Sequence, residues 1–137
     1  QIKSFNRKGD SPEVFIADNS EVFIDKIVEE VKSCQEKGLQ SIGLICKTEN
    51  NSICLYNKIK HKLDIQIIRN GSAAELQGVF IIPVYMSKGL EFDTVLICDA
   101  DSQNYYDEDD KNLLYVACTR ALHKLSLFCE NEVSPLI

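Results

Sequence analysis

The chain has 137 residues, with 15 Lys or Arg against 21 Asp or Glu and a formal net charge of −6. That length fits one domain with enough mass to bury a real core. The acidic balance argues against tight autonomous binding of DNA or RNA, which a basic surface usually advertises. It leaves room for a shared groove in which another domain brings the positive charge. The longest apolar run, residues 79–84 with Pro83 inside it, is too short to span a bilayer. The first twenty residues are too mixed and charged for a signal peptide. Six cysteines stand at 34, 46, 54, 98, 118 and 129, with no C-x-x-C pair and only His61 and His123 as imidazoles. A zinc site is therefore not expected. Most of the cysteines lie in apolar runs, as reduced core cysteines do, which implies a reducing, cytoplasmic compartment. The chain begins at Gln, which points to a piece of a longer protein.

In chain order, residues 13–17 read as a buried strand. Asp18 and Glu21 stand three apart like a capping box. Ile24, Ile27, Val28, Val31 and Cys34 then recur at helical spacing, and Gly38 is the stop. Residues 41–46 are a second strand. Thr48 can cap a second helix with Leu55, Tyr56, Ile59 and Leu63 as its stripe. Residues 65–68 are a third strand and 71–78 a polar loop. Strands at 79–85 and 94–99, a helix over 107–121 and a last strand at 124–129 complete the chain. Apolar strands alternating with helices predict an α/β fold, a mostly parallel sheet covered by helices on both faces. Such sheets bind ligands at the carboxyl ends of their strands. Residues 1–137 form one domain in this reading, with 1–11 and 131–137 peripheral.

Two segments carry chemistry. Met86-Ser87-Lys88-Gly89-Leu90-Glu91-Phe92-Asp93 joins two strand-like runs by a sharp polar turn that Gly89 permits. Leu113-Leu114-Tyr115-Val116-Ala117-Cys118-Thr119-Arg120-Ala121 ends a helix whose apolar stripe is Leu113, Val116 and Ala117, and Arg120 falls on that stripe. A cation at the end of an apolar face needs an anionic partner. The helix dipole or a local carboxylate is one partner, and a phosphate bound by the planar guanidinium fork is the other. The acids Asp107 to Asp110 suit the first turn of a helix and need no further reason. No G-x-x-x-x-G-K-[ST] phosphate loop and no G-x-G-x-x-G is present. Asp99 and Asp101 follow a strand without a phosphate loop beside them.

The two segments resemble motifs V and VI of superfamily 1 helicases of the UvrD/Rep type. The resemblance is specific over 79–128 and diffuse over 14–63, where 41–48 is similar to the family's motif IVa strand and turn. It implies a RecA-like fold, the second motor domain of a nucleic-acid-dependent ATPase. ATP and Mg²⁺ would be held mainly by the first RecA-like domain, which owns the phosphate loop. By resemblance, Arg120 is the arginine finger. Gly89 and Glu91 contact nucleotide, with Glu91 at the ribose. Tyr85, Ser87 and Lys88 face nucleic acid, and Tyr85 takes the place of the usual motif V histidine. The implied partners are the N-terminal RecA-like domain, single-stranded DNA and no membrane. The isolated chain is expected to be inactive. Pro83-Val84-Tyr85-Met86-Ser87 in place of Thr-x-His-x-x, the Leu-Leu-Tyr-x-Ala-Cys-Thr-Arg-Ala form and the lack of a large helical insertion before motif V look like the HelD-type branch. That branch associates with RNA polymerase, which is the alternative partner and the alternative job.

Overall fold

The computed structural model describes residues 12–68 and 77–137. Arg7, Arg69 and most of the loop expected at 71–78 lie outside them. Six strands form one sheet: β1 (Glu13–Ala17), β2 (Ser41–Cys46), β3 (Gln66–Ile67), β4 (Gly78–Pro83), β5 (Phe92–Ile97) and β6 (Ala121–Glu130), in the order β1-β6-β5-β2-β4-β3. Every neighbouring pair is parallel. The continuous apolar runs predicted this, because a parallel sheet is buried on both faces. All six residues of β2 are buried, as befits a central strand.

Helices α1 (Ser20–Glu36) and α2 (Glu49–Ile59) cover one face, and α3 (Glu108–Cys118) covers the other. Alternate strand residues divide accordingly. Ile42, Leu44, Ile81 and Leu96 pack under α1 and α2, while Ile45, Ile82, Val95 and Ile97 pack under α3. The α1 stripe is Phe23, Ile24, Ile27, Val31 and Cys34, and each fully buried aliphatic side chain contributes about 1.5–3 kcal/mol. Val28 is only partly buried. The α1 cap is Asn19, not Asp18. Its side chain accepts from the Val22 amide at 2.9 Å, so the helix starts one residue later than the Asp18–Glu21 pattern indicated. Thr48 caps α2 as expected, accepting from Asn51 N at 3.1 Å.

Two local features set where the later elements begin. Gly43 of β2 lies under the Phe92 ring, and a Cβ there would come within 2.7 Å of the ring. Only glycine lets that fully buried aromatic start β5. Asp93 Oδ2 accepts from the Gln40 and Ser41 amides at 2.9 and 3.2 Å, and the Ser41 hydroxyl accepts from Asp93 N at 2.8 Å. These bonds fix the register of β5 against β2. β5 therefore begins at 92 instead of 94, and β6 begins at 121 instead of 124.

The C-terminal residues are not peripheral. Val133 bridges Asp101, and the Ser134 hydroxyl donates to the Tyr105 carbonyl at 2.7 Å. Leu136 and Ile137 pack against the α3-side core. Val133, Leu136 and Ile137 are partly buried there, while Ser134 is fully buried. Among the described residues no helix is long and apolar enough to cross a membrane.

Candidate functional site

The helix that carries the motif VI residues is fixed at its start. Asp107 caps α3 by accepting from Asp110 N at 2.9 Å. Asp110 Oδ2 returns the bond to Asp107 N at 3.1 Å and takes Tyr106 N at 2.8 Å. Asp110 Oδ1 also pairs with Lys47 Nζ at 2.7 Å. The Lys47 ammonium and the two backbone amides hold the Asp110 carboxyl down to about 2. The acidic first turn thus does more than complement the helix dipole: it ties α3 to the loop after β2.

The buried face of α3 is Asp110, Leu114, Ala117 and Cys118. Leu113 and Val116 pack only partly, so the face is rotated one residue from the stripe that the sequence suggests. The helix stops at Cys118, with Thr119 as its cap residue. Arg120 is therefore no longer helical. It stands in the link to β6, and its carbonyl accepts from Phe92 N at 2.9 Å.

The Arg120 guanidinium is held by three acceptors. Nε donates to the Val116 carbonyl at 3.2 Å, Nη1 to the Ser87 carbonyl at 3.4 Å and Nη2 to the Thr119 hydroxyl at 3.3 Å. Among the described residues no carboxylate forms an ion pair with it. An arginine has five N–H donors, so one on each Nη is left over. The helix end accounts for Val116, whose carbonyl lacks an intrahelical partner. It does not account for the leftover pair.

Motif V crosses the α3 face of the sheet. It leaves β4 at Pro83 as a short 3-10 turn, Val84–Met86, and ends at Phe92, the first residue of β5. Tyr85 is 55% exposed, so its ring face is accessible. Lys88, Gly89 and Glu91 are exposed as well. Gly89 has φ +83, a left-handed conformation that side chains resist, and this is the tight turn that the sequence called for. Ser87 differs from expectation. It is fully buried, and its hydroxyl donates to the Val84 carbonyl at 2.6 Å. In this conformation its side chain does not face a ligand. Its carbonyl is the active part, accepting from both Leu90 N at 3.0 Å and Arg120.

Ser87, Gly89, Glu91 and Arg120 thus converge at the amino ends of β5 and β6. This is the opposite edge from the carboxyl ends, where such sheets usually bind ligands. The α3-to-β6 link and the end of the motif V crossover both fall at the amino edge, because parallel connections must return there before each new strand.

The carboxyl edge holds a second polar cluster that sequence reasoning noted only in part. Asp99, just past β5, is buried, and its Oδ2 accepts from Lys47 N at 2.7 Å and Asn51 Nδ2 at 2.8 Å. Asn51 also donates to Asn104 Oδ1 at 2.9 Å, and Asn104 donates to Asp101 Oδ1 at 2.9 Å. Burial pushes the Asp99 carboxyl up to about 6, against the pull of the Lys47 and Asn51 hydrogen bonds. A crevice of about 160 Å³ opens beside Asn51, Asp99, Asp101, Asn104 and Glu130. The sequence signal for this cluster was weak. Asp99 and Asp101 follow a strand, but nothing local marks Lys47 or Asn51 as their partners some fifty residues away. Among the described residues no group of three or more His, Cys, Asp or Glu is placed to hold a metal ion.

Comparison with known proteins bears on the family and the fold. A UvrD-like helicase C-terminal domain family model matches residues 78–128, from the start of β4 into β6. No curated protein matches the chain. The crystal structure of the C-terminal domain of a possible DNA helicase from Lactobacillus plantarum WCFS1 is similar at 30% identity and a TM-score of 0.87. The match covers 98% of this chain and 84% of that one. The fold also resembles S. cerevisiae Dbp5 bound to RNA and ADP BeF3, at 12% identity and a TM-score of 0.65, over 96% of this chain and 38% of that one. An Arterivirus nonstructural protein 10 helicase in complex with DNA is similar at 12% identity and a TM-score of 0.54, over 90% of this chain and 31% of that one. Those two likenesses concern the fold alone. The identity and coverage of the first match, together with the motif V and VI segment, place the chain in the UvrD-like helicase C-terminal domain family.

Proposed function

We propose that this chain is the second RecA-like domain of a superfamily 1 ATPase, with ATP bound between it and an N-terminal RecA-like domain. Arg120 supplies the arginine finger from this side. The observation that carries the reading is its guanidinium: aimed by three acceptors, paired with no described carboxylate, and left with one N–H on each Nη. That arrangement suits two phosphate oxygens, which a planar charged fork binds at once. Glu91, exposed at the end of motif V, contacts the nucleotide ribose, and the left-handed turn at Gly89 brings the backbone close. Exposed Tyr85 and Lys88 meet single-stranded nucleic acid, one by stacking and the other by charge. Ser87 acts through its backbone.

The donors gathered here suit phosphate and do not suit Mg²⁺, which takes oxygen ligands. Mg²⁺ therefore belongs to the first domain, and no step is assigned to it on this side. Hydrolysis closes and opens the interdomain cleft, and that rigid-body motion moves nucleic acid or remodels a partner. The HelD-type alternative, docking to RNA polymerase without unwinding, rests on the form of residues 83–87 and 113–121 and on the short connection before β4.

The deciding experiment is nucleic-acid-stimulated ATP turnover by the intact ATPase, wild type against Arg120→Ala. Arginine fingers contribute roughly 10³- to 10⁵-fold in related phosphoryl transfers. A loss of several hundredfold or more, with ATP binding largely kept, is expected (order of magnitude). Near-normal turnover would make Arg120 structural and favour the docking reading. The isolated chain should bind nucleotide weakly and turn none over. Hydrolysis by the purified chain, measured as phosphate release, would sink the half-site argument.

A further inference from the structure

We infer that Thr119 is a positioning residue for Arg120: its hydroxyl aims the guanidinium across the motif V backbone before nucleotide arrives. This rests on the reading of Arg120 as the finger and goes one residue beyond it.

A hydroxyl has one proton. That of Thr119 is committed to the Val116 carbonyl at 2.9 Å. Its oxygen is therefore left as an acceptor only, and Arg120 Nη2 donates to it at 3.3 Å. The same Val116 carbonyl takes Arg120 Nε at 3.2 Å, closing a small ring of Val116, Thr119 and Arg120. The third contact, Nη1 to the Ser87 carbonyl at 3.4 Å, comes from motif V. Three acceptors that are not in line fix the plane of a rigid group. Without Thr119 the other two leave Nη2 unheld, and the fork can tip about the line between Val116 and Ser87.

Of the three Arg120 distances one sits at the long end of the usual N–H···O range and two lie slightly beyond it. Short charge-assisted bonds to phosphate oxygens are stronger. The contacts therefore aim the side chain without locking it. The tertiary fold also explains why a threonine serves here. Ser87 is buried and its carbonyl is fixed by Leu90 N, so the motif V acceptor cannot follow a wandering arginine. The acceptor for Nη2 comes instead from the hydroxyl of the residue next to the finger.

Thr119→Val keeps the shape and removes the hydroxyl, and Thr119→Ser keeps the hydroxyl. In the intact ATPase, Thr119→Val should lower kcat about tenfold or more with KM for ATP little changed, since an aligned hydrogen bond to a charged group is lost. Thr119→Ser should recover most of the rate. In the Arg120→Ala background Thr119→Val should change nothing further. On the chain itself, labelled at its three arginines, the Arg120 side-chain N–H signals should show hindered rotation that Thr119→Val releases and Thr119→Ser keeps. If Arg120→Ala abolishes turnover but Thr119→Val leaves kcat and the Arg120 signals as they were, the positioning role is overturned and the finger stands. An equal loss from Thr119→Val with and without Arg120 would likewise overturn it, as a purely structural effect. If Arg120→Ala leaves turnover intact, the finger reading itself has failed.

Discussion

The two edges of the sheet use their polar groups in opposite ways. At the carboxyl edge, Lys47, Asn51, Asp99, Asn104 and Asp110 bond one another, and Asp99 and Asp110 are buried. At the amino edge, among the described residues Arg120 meets two carbonyls and a hydroxyl and keeps two donors, beside exposed Gly89 and Glu91. The first cluster is bonded within itself, except at Asp99 Oδ1, which is buried without a hydrogen-bond partner among the described residues, and it ties loops together. A charge left without an opposite charge is poised for a ligand. The carboxyl crevice looks more like the usual place for a ligand in such a fold, yet the guanidinium with two uncommitted donors lies at the other end.

Substitutions at the two edges should separate cleanly. The largest effect is expected from Arg120→Ala, which should cost the intact ATPase most of its turnover while lowering the stability of this domain by no more than about 1–3 kcal/mol, the range for long hydrogen bonds from a charged group. A larger loss of stability, read by denaturant unfolding, would break the contrast. Next comes Asp99→Asn. The Asp99 carboxyl sits at about 6, above its ordinary value near 3.8, so the folded chain binds more protons than the unfolded one between those limits. Wild-type stability should therefore fall as pH rises from about 4 to about 6, by on the order of 2–3 kcal/mol, and stay level above that. The variant should lack this slope, and an unchanged slope would place the titration elsewhere.

Asp110→Ala should cost about 2 kcal/mol, since it removes an α3 cap and strands the Lys47 ammonium. Its pH signature runs the other way. With its carboxyl held at about 2, below the usual 3.8, Asp110 stabilises the fold above the ordinary carboxylate range. That contribution is lost as pH falls through about 2, so Asp110→Asn should flatten the acid limb of a pH–stability curve. If Asp110→Ala instead abolished turnover in the intact ATPase at full stability, the carboxyl edge would be functional and the division between the edges wrong.

Much of this was legible in the sequence, for reasons that can be named. The bounds of the strands at Glu13–Ala17 and Ser41–Cys46 match the sequence reading, because turn residues flank both, but β1, expected to be buried, is an edge strand with Val14 and Ile16 exposed. The Thr48 cap followed from a hydroxyl before a helical stripe. The α1 cap was misplaced because Asp18 and Asn19 are both good caps, and only the path out of β1 chooses between them. The α3 face was rotated because Leu113 and Leu114 are equal candidates until the sheet beneath selects one. Ser87 was expected to face nucleic acid from its place in the motif V resemblance, which does not say whether the side chain or the backbone is presented. Its burial follows from the 3-10 turn that folds its hydroxyl back on Val84.

By itself the sequence determined the α/β class, the mostly parallel sheet, the sharp turn at Gly89 and the place of Arg120 at the end of an apolar helix stripe. These are properties of short windows: periodicity, the special backbone of glycine, and charge spacing. Only the tertiary structure decided which edge of the sheet gathers the candidate site, that the Ser87 carbonyl and not its hydroxyl faces Arg120, and that Lys47 joins Asp110 and Asp99 into one cluster. Each of those pairs residues 33 or more apart in the chain. No local preference encodes such a meeting. It arises when the register of β5 and β6, set by Gly43, Phe92 and Asp93, brings the ends of separate connections to one place.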